Sequence, residues 1–81
     1  MTFHKLDTVV LTRDFPEHGL RVGDLGAVVH VHTAEVLEVE FVRASGQTQA
    51  LVTLATTDIR PVQDQDLVAV RPVTPPSRGA A

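Results

Sequence analysis

The histidines and glutamates near the middle of the chain are the residues whose types and spacing are most compatible with a metal-binding or catalytic site. His30 and His32 are two positions apart, so on an extended strand both imidazoles point to the same face. That spacing can present two nitrogen ligands to a metal, with His18, Glu38 or Glu40 as the third ligand. No loop in the sequence secures that third ligand. We therefore predict no metal site and treat His30 and His32 as weak candidates.

Catalytic arrangements are not indicated by the sequence. Glu38 and Glu40 share one face of a strand, but carboxylates on an open strand lack the desolvation that tunes a pKa for acid–base work. Ser45 and Ser77 lie in a turn and in a terminal segment, and neither follows or precedes a plausible base. The absence of cysteine excludes a thiol nucleophile, thiolate metal sites and a disulfide framework. We predict that the protein is not an enzyme and carries no cofactor.

Charge and hydropathy narrow the function further. Seven basic and ten acidic residues give a net charge of −3, which disfavours nucleic acid as a partner. Trp and Tyr are absent, so base-stacking platforms are not expected. No apolar run is long enough to span a membrane, and the first residues lack the apolar region of a secretory signal. We expect a cytoplasmic protein without a membrane partner.

Alternating apolar residues predict short strands rather than helices. The clearest alternation covers residues 36–42, where Leu37, Val39 and Phe41 face one way. Further strands are predicted over residues 7–12, 27–32, 47–54 and 60–62, with a 3₁₀ turn over 56–59. Residues 67–71 are compatible with a sixth strand at an open edge.

A three-residue loop over 33–35 would set the register of the central hairpin. His30 then faces Glu38, and Val29 faces Val39, which puts the apolar residues of both strands on one side. The predicted core consists of Val9, Leu11, Val29, Val31, Leu37, Val39, Phe41, Val52 and Ile59.

The order of these elements predicts the fold class. Five short strands, a long first loop and a 3₁₀ turn before the last strand are typical of a small all-β SH3-like barrel, of the KOW or Tudor kind, with five or six strands. The alternative is an OB-fold, which needs longer strands and usually a helix. A barrel of this size fills its interior with side chains and leaves no pocket. We predict one domain over residues 1–72, followed by a disordered Pro-rich tail over 73–81.

A pattern of proline, glycine and aspartate in the first third of the chain resembles a known family. Its residues are Pro16, Gly19, Leu20, Gly23, Asp24 and Gly26. The pattern is similar to that of domain-of-unknown-function family 4926, a family of small bacterial proteins, and residues 58–62 and 67–71 extend the similarity to roughly residues 6–71. The resemblance implies an SH3-like barrel. Because some relatives are encoded beside small toxins, it also implies an antitoxin or immunity role, and it implies no catalytic residue.

A more distant resemblance concerns residues 22–28, Val-Gly-Asp-Leu-Gly-Ala-Val. This stretch is similar to the strand–turn–strand element of KOW-type barrels in ribosomal and transcription-elongation proteins. Those barrels usually surround the turn with Lys and Arg, whereas here the nearby basic residues are offset by Asp7, Asp14, Glu17 and Asp24. A KOW-like nucleic-acid binder is therefore an alternative that the acidic charge disfavours.

A small domain without a pocket is expected to act by contact with another protein. Phe15, next to Pro16, either caps the barrel or stays exposed as an anchor for a partner. The predicted partner-binding residues are Phe15, Glu17, His18 and Arg21 in the first loop, and Val36, Val42 and Leu51 on the outer face of the third and fourth strands.

The leading functional hypothesis is a non-enzymatic protein-binding module. Its antitoxin or immunity version would neutralise a protein encoded nearby. The alternative is an accessory subunit of an enzyme or electron-transfer complex. A homodimer that forms through the same outer face is a further alternative.

Overall fold

The structure of the protein, a computed structural model, describes residues 2–74, and its regular secondary structure is mainly strand. Two short 3₁₀ turns cover Pro16–His18 and Thr56–Asp58. No helix within this part of the chain is long and apolar enough to cross a membrane. The predicted tail falls largely on residues 75–81, which lie outside the described residues. The five strands are β1 (Thr8–Leu11), β2 (Leu25–Val31), β3 (Val36–Val42), β4 (Thr48–Ala55) and β5 (Ile59–Pro61).

All five strands belong to one antiparallel sheet with the order β4-β3-β2-β1-β5. The all-β prediction is confirmed. The prediction of a closed barrel is wrong, because within residues 2–74 β4 and β5 are the two edges and do not pair with each other. β5 has only three residues and ends at Pro61, which has no N–H to donate, so it cannot extend the ladder far. Residues 67–71 form no sixth strand.

The core lies on one face of this curled sheet and is filled by alternate residues of the strands. On β3 the buried and less buried positions alternate along the whole strand, as predicted. Gly26 lets β2 approach β3 closely, because a Cβ atom there would lie 2.6 Å from Val39 Cγ1 and 2.8 Å from Phe41 Cε2. The core residues are Phe3, Val9, Leu11, Phe15, Leu20, Val28, Leu37, Val39, Phe41, Ala50, Val52, Leu54 and Ile59.

The inward face of β2 differs from the prediction. His30 lies opposite Glu38 as expected, but Val28 rather than Val29 lies opposite Val39, because a bulge between Val28 and His30 shifts the register by one residue. Val28 is therefore fully buried and Val29 only half-buried. Val31 is 38% exposed. Since residues 27–29 are all apolar, the alternation could not show which valine faces the core.

The first loop is folded onto the core. Phe15 and Leu20 form an isolated antiparallel bridge around the Pro16–His18 turn, and Gly19 closes the loop with φ +70°. Phe15 is 5% exposed, so its side chain caps the core. The alternative in which Phe15 is an exposed anchor for a partner is wrong for this conformation. Leu20 is buried beneath this loop, whereas Val22 just after it is exposed.

Candidate functional site

The segment after β5 crosses the outer face of the sheet without forming a strand. We call residues 62–74 the strap. Val10 shows what the strap covers, because this residue is buried although it is not part of the core cluster on the inner face. Val10 lies opposite Leu25 on β2 and opposite Arg60 on β5, and all three line the space beneath the strap.

An ion pair with two hydrogen bonds holds the beginning of the strap. Arg60 Nη1 donates to Asp66 Oδ2 at 2.9 Å, and Arg60 Nη2 donates to Asp66 Oδ1 at 3.0 Å. The Gln63 N–H also donates to Asp66 Oδ2, at 2.7 Å. The hydrogen bonds from Arg60, and then that from Gln63, lower the pKa of Asp66 to about 2. The hydrogen bond to Asp66 in turn raises the pKa of Arg60.

A second arginine holds the far part of the strap. Arg71 Nε donates to Asp24 Oδ1 at 3.0 Å, and Arg71 Nη2 donates to Asp24 Oδ2. The same Nη2 donates to the Gly19 carbonyl at 3.1 Å. The hydrogen bond to Asp24 raises the pKa of Arg71. Because Asp24 Oδ2 also accepts from the Arg21 N–H at 2.8 Å, this anchor ties the strap to the turn before β2.

Gln49 forms the third anchor, and it is the polar residue most deeply buried among residues 2–74, at 4% exposure. A bulge in the β3–β4 pairing between Phe41 and Val42 accommodates it. Its Nε2 donates to the His18 carbonyl at 3.1 Å and to the Thr74 carbonyl at 2.9 Å. Gln49 therefore connects the first loop, β4 and the end of the strap. Its burial was not predicted from the sequence, because a Gln in a strand with Thr and Ala neighbours shows no sign of burial.

A groove of about 670 Å³ lies between the strap and the outer face of the sheet. Leu25 and Val42 are among the side chains from the sheet, and Leu67, Val68 and Val70 are among those from the strap. The prediction that the fold leaves no pocket is therefore wrong. It considered only the inner face, which side chains do fill, whereas the groove is formed outside the sheet by a segment with no regular structure.

The charged residues of the groove are not balanced. Three arginines and two aspartates line it, a surplus of one positive charge on a chain of net charge −3. Arg60 and Arg71 are both paired with aspartates. Arg43 belongs to no ion pair in the described part of the chain, and its Nε is buried without an acceptor there. A carboxylate that entered the groove could therefore form an ion pair with Arg43.

The predicted outer-face residues do not form one patch. Val36 and Val42 lie at opposite ends of β3, and Glu38 and Glu40 separate them on the same face. Leu51 is 54% exposed and pairs with Glu40, which places it diagonally across from Val42. Val42 also borders the groove, so it connects the predicted surface with the strap.

Of the predicted residues of the first loop, His18 and Arg21 lie beside the strap. Glu17 and Arg21 are exposed, and His18 is half-buried with its carbonyl bonded to Gln49. Arg21 lines a smaller cavity of about 310 Å³ together with the strap residues 71–74. The surroundings of this loop were not predicted, because no pattern in the sequence indicates that the chain after β5 returns to it.

The two histidines named as weak metal candidates do lie together. The rings of His30 and His32 pack edge to face, with centroids 4.5 Å apart. His32 Nε2 lies 2.9 Å from Glu38 Oε1, so His32 makes the side-chain bond although His30 is the cross-strand neighbour of Glu38. Between residues 2 and 74 no group of three such side chains is arranged to hold a metal ion. That the protein binds no metal stays a prediction.

These features define a small all-β domain of five antiparallel strands with a strap along its outer face. The chain belongs to the family described as Domain of unknown function (DUF4926), whose sequence model matches residues 5–61. The match confirms the resemblance seen in the sequence, and it ends before the strap. No curated protein and no solved structure shows significant similarity to the chain.

Proposed function

We propose that the protein is a non-enzymatic protein-binding module that contacts its partner through the strap and the groove beneath it. The observation that carries this proposal is the exposure of the apolar strap residues. Leu67 is 90% exposed, Val68 67% and Val70 98%, and all three line the same groove. Contiguous exposed apolar surface of this kind marks interaction sites, whereas single exposed apolar residues are ordinary.

The backbone of the strap supports the same proposal. Within the described residues, no backbone group of residues 67–73 bonds to another backbone group. An extended segment with free N–H and C=O groups can pair with a strand of a partner, which then gains ladder hydrogen bonds as well as apolar contacts. The partner is thus expected to offer an exposed strand or an extended segment.

The charge of the groove adds a preference. The apolar residues of the partner segment would rest against Leu67, Val68 and Val42, and a carboxylate beside them would pair with Arg43. A charge-assisted bond to a half-buried arginine contributes more than a bond on an open surface. The proposed partner segment is therefore apolar and carries at least one Asp or Glu.

We also propose a specific architecture and a biological role for the protein. The strand order and the 3₁₀ turn between β4 and β5 support an SH3-like architecture that is left open at its edges. The antitoxin or immunity role depends on the family resemblance, and the partner would then be a protein encoded nearby. An accessory subunit of an enzyme or electron-transfer complex would use the same surface. Identification of the partner distinguishes this role from the antitoxin or immunity role.

The test is affinity purification from the native host with the full chain, followed by mass spectrometry and by calorimetry with the purified partner. The double variant Val68→Asp, Val70→Asp should lose the partner, because it places two charges on the contact surface. Leu6→Asp is the matched control, since Leu6 is 76% exposed, lies outside the groove and has a φ of 76° that Asp tolerates. Equal affinity in the double variant and the control would refute this surface.

Arg43→Gln refines the test. Gln keeps much of the length of the side chain and removes the charge, so a partner with a carboxylate in the groove should bind about tenfold more weakly. An unchanged affinity would remove the carboxylate from the proposal and leave the apolar contact in place.

A further inference from the structure

The outer edge of β4 has no partner strand and no charged residue. β4 pairs with β3 on one side, and within residues 2–74 no strand bonds to its other side. Its eight residues, TQALVTLA, include no Lys, Arg, Asp, Glu or Pro. Edge strands are usually protected from association by such residues. β4 lacks this protection, although the chain as a whole is charged.

Hydrogen bonds at both ends of β3 show which of its residues bond toward β4. The Arg43 N–H donates to the Gln47 carbonyl at 2.9 Å, and the Thr56 N–H donates to the Glu35 carbonyl at 2.9 Å. The β3-side residues of these bonds, Glu35 and Arg43, are odd-numbered and directly flank β3. Because bonding alternates along an antiparallel strand, the odd-numbered residues of β3 bond to β4.

The register then identifies the free backbone groups of β4. Val39 lies opposite Val52, and these two residues bond to each other. The neighbouring residues Leu51 and Thr53 therefore turn their N–H and C=O groups toward the free edge. Farther along, the Ala55 N–H is already bonded to Asp58 Oδ2 at 3.1 Å, so it is not free to pair.

We propose that β4 pairs with β4 of a second copy of the chain, antiparallel, about a twofold axis that passes through Val52. In this register Leu51 lies opposite Thr53 of the second copy, and Thr53 lies opposite its Leu51. The four free groups of each β4, the N–H and C=O groups of Leu51 and Thr53, are then all used. On the inner face Val52 meets its own copy and Ala50 meets Leu54, so the apolar core continues across the axis.

In other registers of the same pairing, β4 would have to form hydrogen bonds through residues that are already bonded or that lie at a bulge. An axis through Thr53 would place Leu51 opposite Ala55, whose N–H is already bonded. An axis through Leu51 would place Thr53 opposite Gln49, which sits at a bulge and uses its side chain inside the protein. The axis through Val52 is the one that needs only free groups.

The charge of the chain favours a second copy at this edge. Two molecules of net charge −3 repel each other, and they can approach most closely where neither presents a charge. β4 itself carries no charged residue, and Glu38 and Glu40 on its outer face lie one strand away, on β3. An uncharged edge offers no charge that would attract a charged strand of another protein. A second β4, which is also uncharged, therefore suits this edge better than a charged strand does.

Sedimentation velocity of the full chain over a range of concentrations tests the proposal. We expect a monomer–dimer equilibrium in the native protein. Thr53→Glu should weaken dimerisation about tenfold or more, because it places a carboxylate of each copy next to the axis, on the face that already holds Glu38 and Glu40 of β3. Leu51→Glu should act in the same way. Thr8→Glu is the matched control for net charge, since Thr8 is exposed on β1, which is covered by strands on both sides, and it should leave the equilibrium unchanged.

Hydrogen exchange checks the register and does not depend on any variant. The Leu51 and Thr53 amides should be protected at high concentration and should lose protection on dilution. A native chain that stays monomeric at millimolar concentration would overturn the proposal, as would a dimer that persists in both glutamate variants. The double variant Val68→Asp, Val70→Asp should remain dimeric, so failure of the strap proposal and failure of this one are distinguishable.

Discussion

The sheet and the strap differ in how they are held. The sheet buries a cluster of large apolar side chains and bonds its strands through regular ladders. The strap leaves its apolar residues in solvent and is fixed by ion pairs and one buried amide at a few points. Ion pairs at a surface contribute little free energy, whereas burial of apolar area contributes most of it.

This difference separates stability from recognition within one small chain. Changes in the sheet core should lower the free energy of unfolding of the whole domain. Changes in the strap should alter its local opening and its contacts while the melting temperature stays close to that of the native protein. Substitutions in the sheet core and in the strap test that separation.

Phe41→Ala should destabilise the domain by about 3–5 kcal/mol, because it leaves a large cavity in the core. Phe41 is buried in β3 and lies against Gly26. Urea unfolding followed by circular dichroism measures the change. The neighbouring Val42→Ala is the control, since Val42 is exposed and its loss should change the stability by no more than about 0.5 kcal/mol. Equal effects of the two substitutions would contradict the assignment of the inner face.

Phe15→Ala should cost about 3 kcal/mol, because Phe15 belongs to the core cluster. The guanidinium of Arg13 lies 3.9 Å from the centre of the Phe15 ring, so Arg13→Ala tests the cation contact without making a cavity. That control should cost less than about 1 kcal/mol. Thermal melts of the two variants compare them. A melting temperature unchanged by Phe15→Ala would restore the sequence-based alternative of an exposed anchor.

Gly26→Ala should cost about 1–3 kcal/mol through overpacking, since the new methyl would lie 2.6 Å from Val39 Cγ1. In a Val39→Ala background, part of this cost should disappear because the nearest methyl is gone. A double-mutant cycle of unfolding free energies measures the coupling. Strict additivity of the two substitutions would show that β2 and β3 do not approach as closely here as the structure has them.

The core of β3 and β4 could be predicted from the sequence because strict alternation admits only one inward face. Leu37, Val39 and Val52 are buried as expected. The prediction failed on β2, where successive apolar residues suit either face and a bulge decided between Val28 and Val29. Local pattern carries no information about such a bulge, because it depends on how the neighbouring strands fit.

The candidate site could be predicted only in part. Val42 and Arg21 do border the strap, but the strap anchors Gln49 and Asp66 were not anticipated. Contacts such as Arg71 with Asp24 join residues far apart in the chain, and their pairing follows from the path of a segment without regular structure. The alternation of apolar residues predicts strands, but it does not predict the path of a segment without regular secondary structure.

Arg71→Ala should free the far part of the strap while lowering the unfolding free energy by no more than about 1 kcal/mol, the range for ion pairs near a surface. Limited proteolysis should cut the strap faster in this variant, with the melting temperature nearly unchanged. Arg78→Ala, which removes a charge beyond the described residues, is the control for charge alone. A large fall in melting temperature would show that the strap is part of the cooperative core.

Acidification should produce the smallest effect, at the Arg60–Asp66 anchor. The pKa of Asp66 is lowered from 3.8 to about 2 by the hydrogen bonds from Arg60 and Gln63, so the charged form is favoured when the strap is docked. Its contribution is complete above pH 3.8 and is lost as the pH falls through about 2. A titration of the Asp66 carboxyl carbon by NMR should give a midpoint of about 2 in the native chain. In Arg60→Gln the Asp66 midpoint should rise toward 3.8, because the largest cause of the lowered pKa is removed. An Asp66 midpoint that is the same in the native chain and in Arg60→Gln would mean that the strap is not held by Arg60 in solution.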